Sequence, residues 1–262
     1  MLKITPALFA LAVGSLSSGN VFANCLSGNS TESDFPKSVV SISNNGGIQS
    51  AWYDDATDRY AHGVLGDAIE PSTLRVSDQN GCTRSVVLDQ AHVFEDLAPR
   101  LADIDGNAGL EVITVRSHQN YGAQIAIYQL AGDALRLLTS TPYIGTSNRW
   151  LAPVGIADLN HDGDMDIAYV DRPHLAKILR VWSYRNGGLE QIANKAGYSN
   201  HRIGEPFITG GLKTCDTEIT IITADGRWNR ILETALNGAQ LSSEDIGTFE
   251  GPESVSEALR CQ

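Results

Sequence analysis

Residues 158 to 166 form a run in which oxygen-bearing side chains recur at alternate positions. The sixth of the nine residues is Gly163, and the first, third, fifth, seventh and ninth are Asp158, Asn160, Asp162, Asp164 and Asp166. A hard divalent cation takes about six to eight oxygen ligands, which alternate residues of a tight loop can supply together. Gly163 stands where such a loop must turn sharply, in a backbone conformation that is costly for other residues. The run therefore predicts a calcium site.

A second run, residues 103 to 111, follows the same pattern less completely. Its first, third, fifth, seventh and ninth residues are Asp103, Asp105, Asn107, Gly109 and Glu111, of which the glycine can offer only its carbonyl. The sixth position is Ala108, which strains a left-handed turn. We expect this loop to keep the shape of the first but to bind calcium more weakly or not at all. The alternative for both loops is a metal-free turn, since Gly and Asp favour turns by themselves.

The elements that would position these loops are short strands in a repeat of about fifty residues. Each loop follows a similar segment, 97–103 or 151–158, and precedes an apolar run, 112–115 or 167–170; the first aspartates are 158 − 103 = 55 residues apart. Weaker copies lie one step away on either side. The predicted units are 48–96, 97–149, 150–205 and 206–250, with 24–47 and 251–262 as terminal closing segments.

Units of this length with a few short strands each predict an all-β fold, a small β-propeller of about four to five blades in a single domain, 24–262. Residues 36–47 contain one further strand, which completes the last blade or contributes to a fifth. Residues 253–260 form a short helix or a tail. A β-sandwich is the alternative, although a sandwich does not predict the repeat.

The loops and their flanking strands resemble the FG-GAP/VCBS repeat family, in which an apolar strand, D-x-D-x-D-G-x-x-D and a second apolar strand follow one another. Asp158, Asn160, Asp162 and Asp166 match the family's side-chain ligands, with the Asp164 carbonyl between them. In the preceding repeat Asp103, Asp105, Asn107 and Glu111 match, with Ala108 in place of the motif glycine. The resemblance implies a propeller and calcium. It implies no particular partner, because the family includes adhesins, lyases and phospholipases.

The N-terminal 23 residues are typical of a signal peptide, with Lys3 as the early charge, an apolar run and a small-residue cleavage site. The formal charge is −12, and it becomes −13 when Lys3 is removed. This charge argues against nucleic acid as a partner. No later stretch is long and apolar enough for membrane insertion after signal removal. We therefore expect a periplasmic or secreted protein.

The four cysteines are an even number, as expected for disulfide bonds in an exported protein. Cys25, Cys82, Cys215 and Cys261 allow three pairings, among which the sequence does not choose.

Two polar clusters outside the loops are candidates for catalysis. A histidine near a carboxylate can act as a general base, and an arginine can hold an anion. The candidates are His174, His201, Arg202 and Glu205. Hydrogen bonding between loops is the alternative role, and no nucleophile or zinc motif accompanies them. The tryptophans, residues 52, 150, 182 and 228, are expected to pack between blades, with stacking on sugar rings as the alternative.

The sequence thus favours an exported, calcium-stabilised binding or scaffold module for an unknown protein or glycan ligand. The alternative is a calcium-requiring hydrolase or lyase acting on a glycan or phosphoester.

Overall fold

The computed structural model describes residues 26–27, 32–42 and 47–261. The predicted signal peptide and Cys25 lie outside these ranges. Within them, most of the regular structure is antiparallel strand, arranged in four sheets that follow one another along the chain. The prediction of an all-β, propeller-like fold is confirmed. None of the helices in the described ranges is long and apolar enough to cross a membrane.

The first sheet has the strand order β1-β5-β4-β3-β2. Its strands are β1 (Leu26–Ser27), β2 (Val40–Ser41), β3 (Ile48–Thr57), β4 (Glu70–Asp78) and β5 (Cys82–Val87). The further strand expected in residues 36–47 is β2, which pairs with β3 through Val40 and Ala51. It therefore joins the first sheet and not the last, because the strand that follows it in the chain is its nearest partner.

The second and third sheets each carry one of the acidic loops. The second has the order β10-β9-β8-β6, and β7 also pairs with β8. Its strands are β6 (His92–Phe94), β7 (Arg100–Ala102), β8 (Glu111–His118), β9 (Gly122–Ala131) and β10 (Ala134–Ser140). The third has the order β11-β12-β13-β14. Its strands are β11 (Leu151–Ala157), β12 (Asp166–Asp171), β13 (Ile178–Arg185) and β14 (Gly188–Ala196).

The fourth sheet has the order β15-β17-β18-β19, and β16 also pairs with β17. Its strands are β15 (Tyr198–Ser199), β16 (Gly211–Cys215), β17 (Glu218–Asp225), β18 (Arg230–Asn237) and β19 (Gln240–Thr248). Helix α1 (Pro252–Ala258) follows, where the sequence allowed a short helix or a tail. It packs on this sheet through Val255, which lies with Ile222 and Ile231 in one apolar cluster.

Apolar clusters fill the spaces between consecutive sheets. Strands deep in the sheets are buried on both faces, as in β12, where all six residues are buried. Such strands appear in the sequence as continuous apolar runs. The clusters join the first sheet to the second, the second to the third and the third to the fourth. The first and fourth sheets approach each other through a loop, where the Gly204 amide donates to the Val64 carbonyl at 2.9 Å.

Candidate functional site

Loop 158–166 connects two paired strands of the third sheet. It begins after Ala157, the last residue of β11, and ends at Asp166, the first of β12, and these two residues face each other in the pairing. His161 and Gly163 have positive φ angles of 59° and 93°. The chain can therefore reverse within a few residues, as predicted from Gly163.

Hydrogen bonds within the loop turn its acidic side chains inward. The Asp158 carboxylate accepts from the amides of Asp162 at 3.1 Å and Gly163 at 2.9 Å. The Asp162 carboxylate accepts from the Asp164 amide at 3.0 Å. Amide groups thereby hold the carboxylates in position, which lowers the entropy lost on binding a ligand.

Asp166 lies at the base of this loop and is fully buried. One of its carboxylate oxygens, Oδ2, accepts from the Leu159 amide at 3.0 Å. The other, Oδ1, has no hydrogen-bond partner among the described residues. Burial raises the pKa of Asp166 to about 6, although the hydrogen bond from the Leu159 amide opposes the rise. The Ser183 hydroxyl on the facing strand is, like Asp166 Oδ1, buried without a hydrogen-bond partner among the described residues. A buried oxygen without a partner is costly, and a bound cation would satisfy it.

Loop 103–111 occupies the equivalent place in the second sheet. It lies between Ala102 at the end of β7 and Glu111 at the start of β8, again a facing pair. The Ile104 amide donates to Glu111 Oε2 at 2.9 Å, as the Leu159 amide does to Asp166. Gly106 and Ala108 have positive φ angles of 74° and 60°. The loop keeps the left-handed positions of its relative, although glycine occupies the fourth position and alanine the sixth.

The carboxylates of loop 103–111 converge more closely than those of loop 158–166. Oxygens of Asp103, Asp105 and Glu111 lie within 4.8 Å of one another, and no other such group of three occurs among the described His, Cys, Asp and Glu residues. Glu111 is 5 % exposed. Burial and the neighbouring Asp105 and Asp103 raise the pKa of Glu111. Such crowding of acids favours a cation at this point. The sequence ranked this loop second, and the geometry favours it.

Arg185 explains why the carboxylates of loop 158–166 are less available. Its guanidinium contacts the Asp162 carboxylate, and its Nε lies 2.7 Å from Asp164 Oδ2. No sequence pattern indicated this arginine, which belongs to another hairpin of the same sheet.

The two loops face one cleft of about 530 Å³. Residues 103–107 line one part of it, 163–165 another, and Tyr184, Asn186 and Gly187 complete it. Burial and the nearby Asp105 and Glu111 raise the pKa of Tyr184. A ligand in this cleft would touch both acidic loops.

Two of the four catalytic candidates, His174 and His201, are hydrogen-bonded to each other through their ring nitrogens. His201 Nε2 lies 2.9 Å from the carbonyl of Glu205 and must donate to it. Burial lowers the pKa of His201, so its neutral ring uses Nδ1 to accept. His174 Nε2 donates to that atom at 3.0 Å. Burial and His201 lower the pKa of His174 to about 4. Both rings are neutral at physiological pH.

The Arg202 and Glu205 side chains interact with other groups. The Arg202 guanidinium stacks on Trp228 and Phe249, 4.3 and 5.1 Å from the ring centres. The Glu205 carboxylate accepts from the Arg202 amide at 3.2 Å. These contacts hold a loop together, which is the alternative role considered for the cluster.

A pocket of about 360 Å³ lies beside His174. Val64, Trp150 and Leu175 supply apolar lining, and His62 is a second histidine in the wall. His62 Nδ1 contacts the buried carboxylate of Glu95. Sequence reasoning missed this pair because the two residues are 33 positions apart in the chain and belong to no motif.

The tryptophans 52 and 150 are buried, with 1 % and 2 % of their surface exposed. The Trp150 ring nitrogen donates to the Glu95 carbonyl at 2.7 Å. These two rings pack inside the protein, as expected, and are not accessible for stacking on sugars.

Cys215 and Cys261, which are 46 residues apart, form a disulfide bond. This bond agrees with one of the three pairings that the sequence allows. It connects the end of β16 to the residues after α1.

Comparison with models of protein families gives a match within the chain. The sequence model of the FG-GAP-like repeat family matches residues 103–169, which include both acidic loops and the strands between them. None of the curated proteins searched matches the chain. The match begins at Asp103 and ends in β12, so it covers most of the unit 97–149 and the first part of the unit 150–205. Residues 103–169 therefore belong to the FG-GAP-like repeat family.

Proposed function

We propose that this protein is an exported, calcium-stabilised β-propeller-like binding module for a protein or glycan ligand. The observation that carries the calcium assignment is the convergence of Asp103, Asp105 and Glu111 within 4.8 Å. Three carboxylates, the Asn107 side chain and the Gly109 carbonyl supply hard oxygen donors of the kind that calcium prefers. The unpartnered oxygen of Asp166 supports the same chemistry in loop 158–166.

Calcium would have a structural role here. Each loop joins two paired strands, so a cation bound to its first and last residues fixes the strand connection. The cysteine bridge supports export, since such bonds persist in oxidising compartments. Extracellular calcium modules work at about 10⁻⁴ to 10⁻³ M, which suits a site with few fixed ligands.

The binding role rests on the rigid frame and on the cleft between the loops. Loops on a rigid scaffold commonly carry binding function. The cleft of about 530 Å³ opens between the two acidic loops. A calcium ion at its wall would offer a protein or glycan carboxylate a direct ligand position.

Thermal unfolding with and without calcium tests the proposal. At 10 mM calcium a site of the stated affinity stabilises by about 1.4 to 2.7 kcal/mol, or several degrees in Tm. We expect this shift in the wild type and a clear reduction in Asp103→Asn/Asp105→Asn. The matched control is Asp58→Asn/Glu244→Gln, which changes the charge equally at two exposed positions. Equal shifts in all three proteins, or none in the wild type, contradict the proposal.

A further inference from the structure

Arg185 pairs with two acidic side chains of loop 158–166, Asp162 and Asp164. It is the last residue of β13 and faces Gly188 across the hairpin. Its guanidinium contacts Asp162 and approaches Asp164 to 2.7 Å. Asp162 is the fifth residue of the loop, whose carboxylate a calcium ion would need. One side chain therefore uses two of the loop's acidic groups.

The second sheet has no such arginine. Asp166 pairs with Ser183 and Ile167 with Trp182, while Val112 pairs with Tyr128. Trp182 and Tyr128 therefore occupy equivalent positions in the two sheets. The residue three positions after Trp182 is Arg185, whereas the residue three positions after Tyr128 is Ala131. Among the ion pairs of the described residues, none involves Asp103, Asp105 or Glu111. Loop 158–166 thus has an arginine side chain paired with its acids, and loop 103–111 has none among the described residues.

Arg185 satisfies loop 158–166 only in part. Its contacts are with Asp162 and Asp164, near the surface, and Asp166 Oδ1 stays buried without a partner. A divalent ion bound between Asp158, Asp162 and Asp166 would satisfy that oxygen. It would also have to displace the guanidinium from Asp162, because both cations use the same carboxylate.

We propose that Arg185 is a built-in counter-ion that competes with calcium for loop 158–166, so that loop 103–111 binds the metal first. This inference rests on the proposed calcium binding. It makes Arg185 a residue that sets the metal affinity of one repeat. Loop 158–166 would hold its shape at low calcium and accept an ion only at higher concentration.

Calcium titration by calorimetry tests the inference in an Asp103→Asn/Asp105→Asn background, where loop 158–166 is the reporting site. Arg185→Gln should tighten calcium binding by at least about fivefold, the lower range of coupling between two ligands. Arg230→Gln is the matched control, since Arg230 pairs with Asp245 at 2.6 Å on a different hairpin. It should leave the affinity unchanged. Without calcium, Arg185→Gln should melt at a lower temperature than its parent, because the loop loses the arginine that pairs with Asp162 and Asp164.

The failures of the two proposals are distinguishable. Calcium binding that is equal in the presence and absence of Arg185, or weaker without it, overturns the role of Arg185 and leaves calcium binding intact. An absence of binding heat in the unmutated chain and in Arg185→Gln overturns both. If the double-mutant background does not fold, the same comparison in the unmutated chain applies. There Arg185→Gln should raise the calcium occupancy per chain near 1 mM by up to about 0.4 ion for a fivefold tighter loop 158–166, and an unchanged occupancy overturns the inference.

Discussion

Buried acids between the first and second sheets show how burial changes the chemistry of a single residue. Glu70, the first residue of β4, is 3 % exposed. Burial, together with the nearby Glu95, Asp67 and Asp96, raises its pKa to about 9. Glu95 has partners of its own, since it accepts from the Ser117 hydroxyl at 2.5 Å and contacts His62. With this pKa, Glu70 stays protonated at neutral pH.

This protonation makes stability depend on pH. An unfolded glutamate ionises near its ordinary pKa of about 4.5, whereas Glu70 in the folded protein ionises near 9. The folded state binds the extra proton, so the contribution of Glu70 is complete below pH 4.5 and is lost as pH rises to about 9. Within that window the loss is about 1.4 kcal/mol per pH unit.

Glu70→Gln should remove this component of the pH dependence. Glutamine keeps the shape and cannot ionise, so the variant should lose less stability than the wild type between pH 6 and 9. Urea unfolding at several pH values measures the difference. Glu190→Gln, at an exposed position of β14, is the control and should follow the wild type. A Glu70→Gln profile parallel to the wild type would refute the raised pKa.

At the scale of elements, one glycine decides how the second sheet meets the third. Gly122 begins β9 with a φ of 71°, and a Cβ there would lie 2.4 Å from the Thr146 carbonyl oxygen and 2.7 Å from that of Arg149. The Ala123 amide donates to the same Arg149 carbonyl at 2.8 Å. The turn before β9 thus packs directly under the connection that leads to Trp150.

Gly122→Ala should be much more damaging than Gly132→Ala. Both glycines have positive φ, but a Cβ at Gly132 would meet nothing within 4 Å. We expect a loss of about 1 kcal/mol at Gly132 from backbone strain alone, and about 2 to 4 kcal/mol at Gly122, where backbone atoms must also move. Urea midpoints compare the two variants directly. Similar losses would mean that the connection moves aside without cost.

At the scale of the whole molecule, the last sheet is capped by the C-terminal segment. Helix α1 covers one face through Val255, which is 1 % exposed. The Cys215–Cys261 bond joins that segment back to β16 across 46 residues. The fourth sheet is thereby covered on the face opposite the third sheet.

Replacing both cysteines, as Cys215→Ser/Cys261→Ser, should lower stability by up to about 4 kcal/mol, the loop-entropy value for this separation. The pair is replaced together so that no single thiol is left. Thermal unfolding of the variant, compared with the wild type with and without reductant, measures the effect. Reductant should lower the Tm of the wild type more than that of the variant. An unchanged midpoint in the variant would show that α1 holds its place by packing alone.

The sequence by itself determined the features that depend on neighbours in the chain. Alternating oxygen ligands and Gly163 define a turn within nine residues, and the loops at 103–111 and 158–166 keep the same left-handed positions. Short apolar runs at a repeated spacing predict the strands of the sheets, because a strand that is buried on both faces is a continuous apolar segment of the sequence. The all-β, propeller-like fold and the repeat family followed from these patterns.

Only the tertiary structure decided the features that depend on distant residues. Arg185 reaches Asp162 from another hairpin, and His62 meets Glu95 across 33 residues. Glu70 loses its charge because it is buried near other acids. The physical reason is the same in each case. Burial, ion pairing and metal geometry depend on which side chains the packed sheets bring together. The spacing of residues along the chain does not predict these contacts.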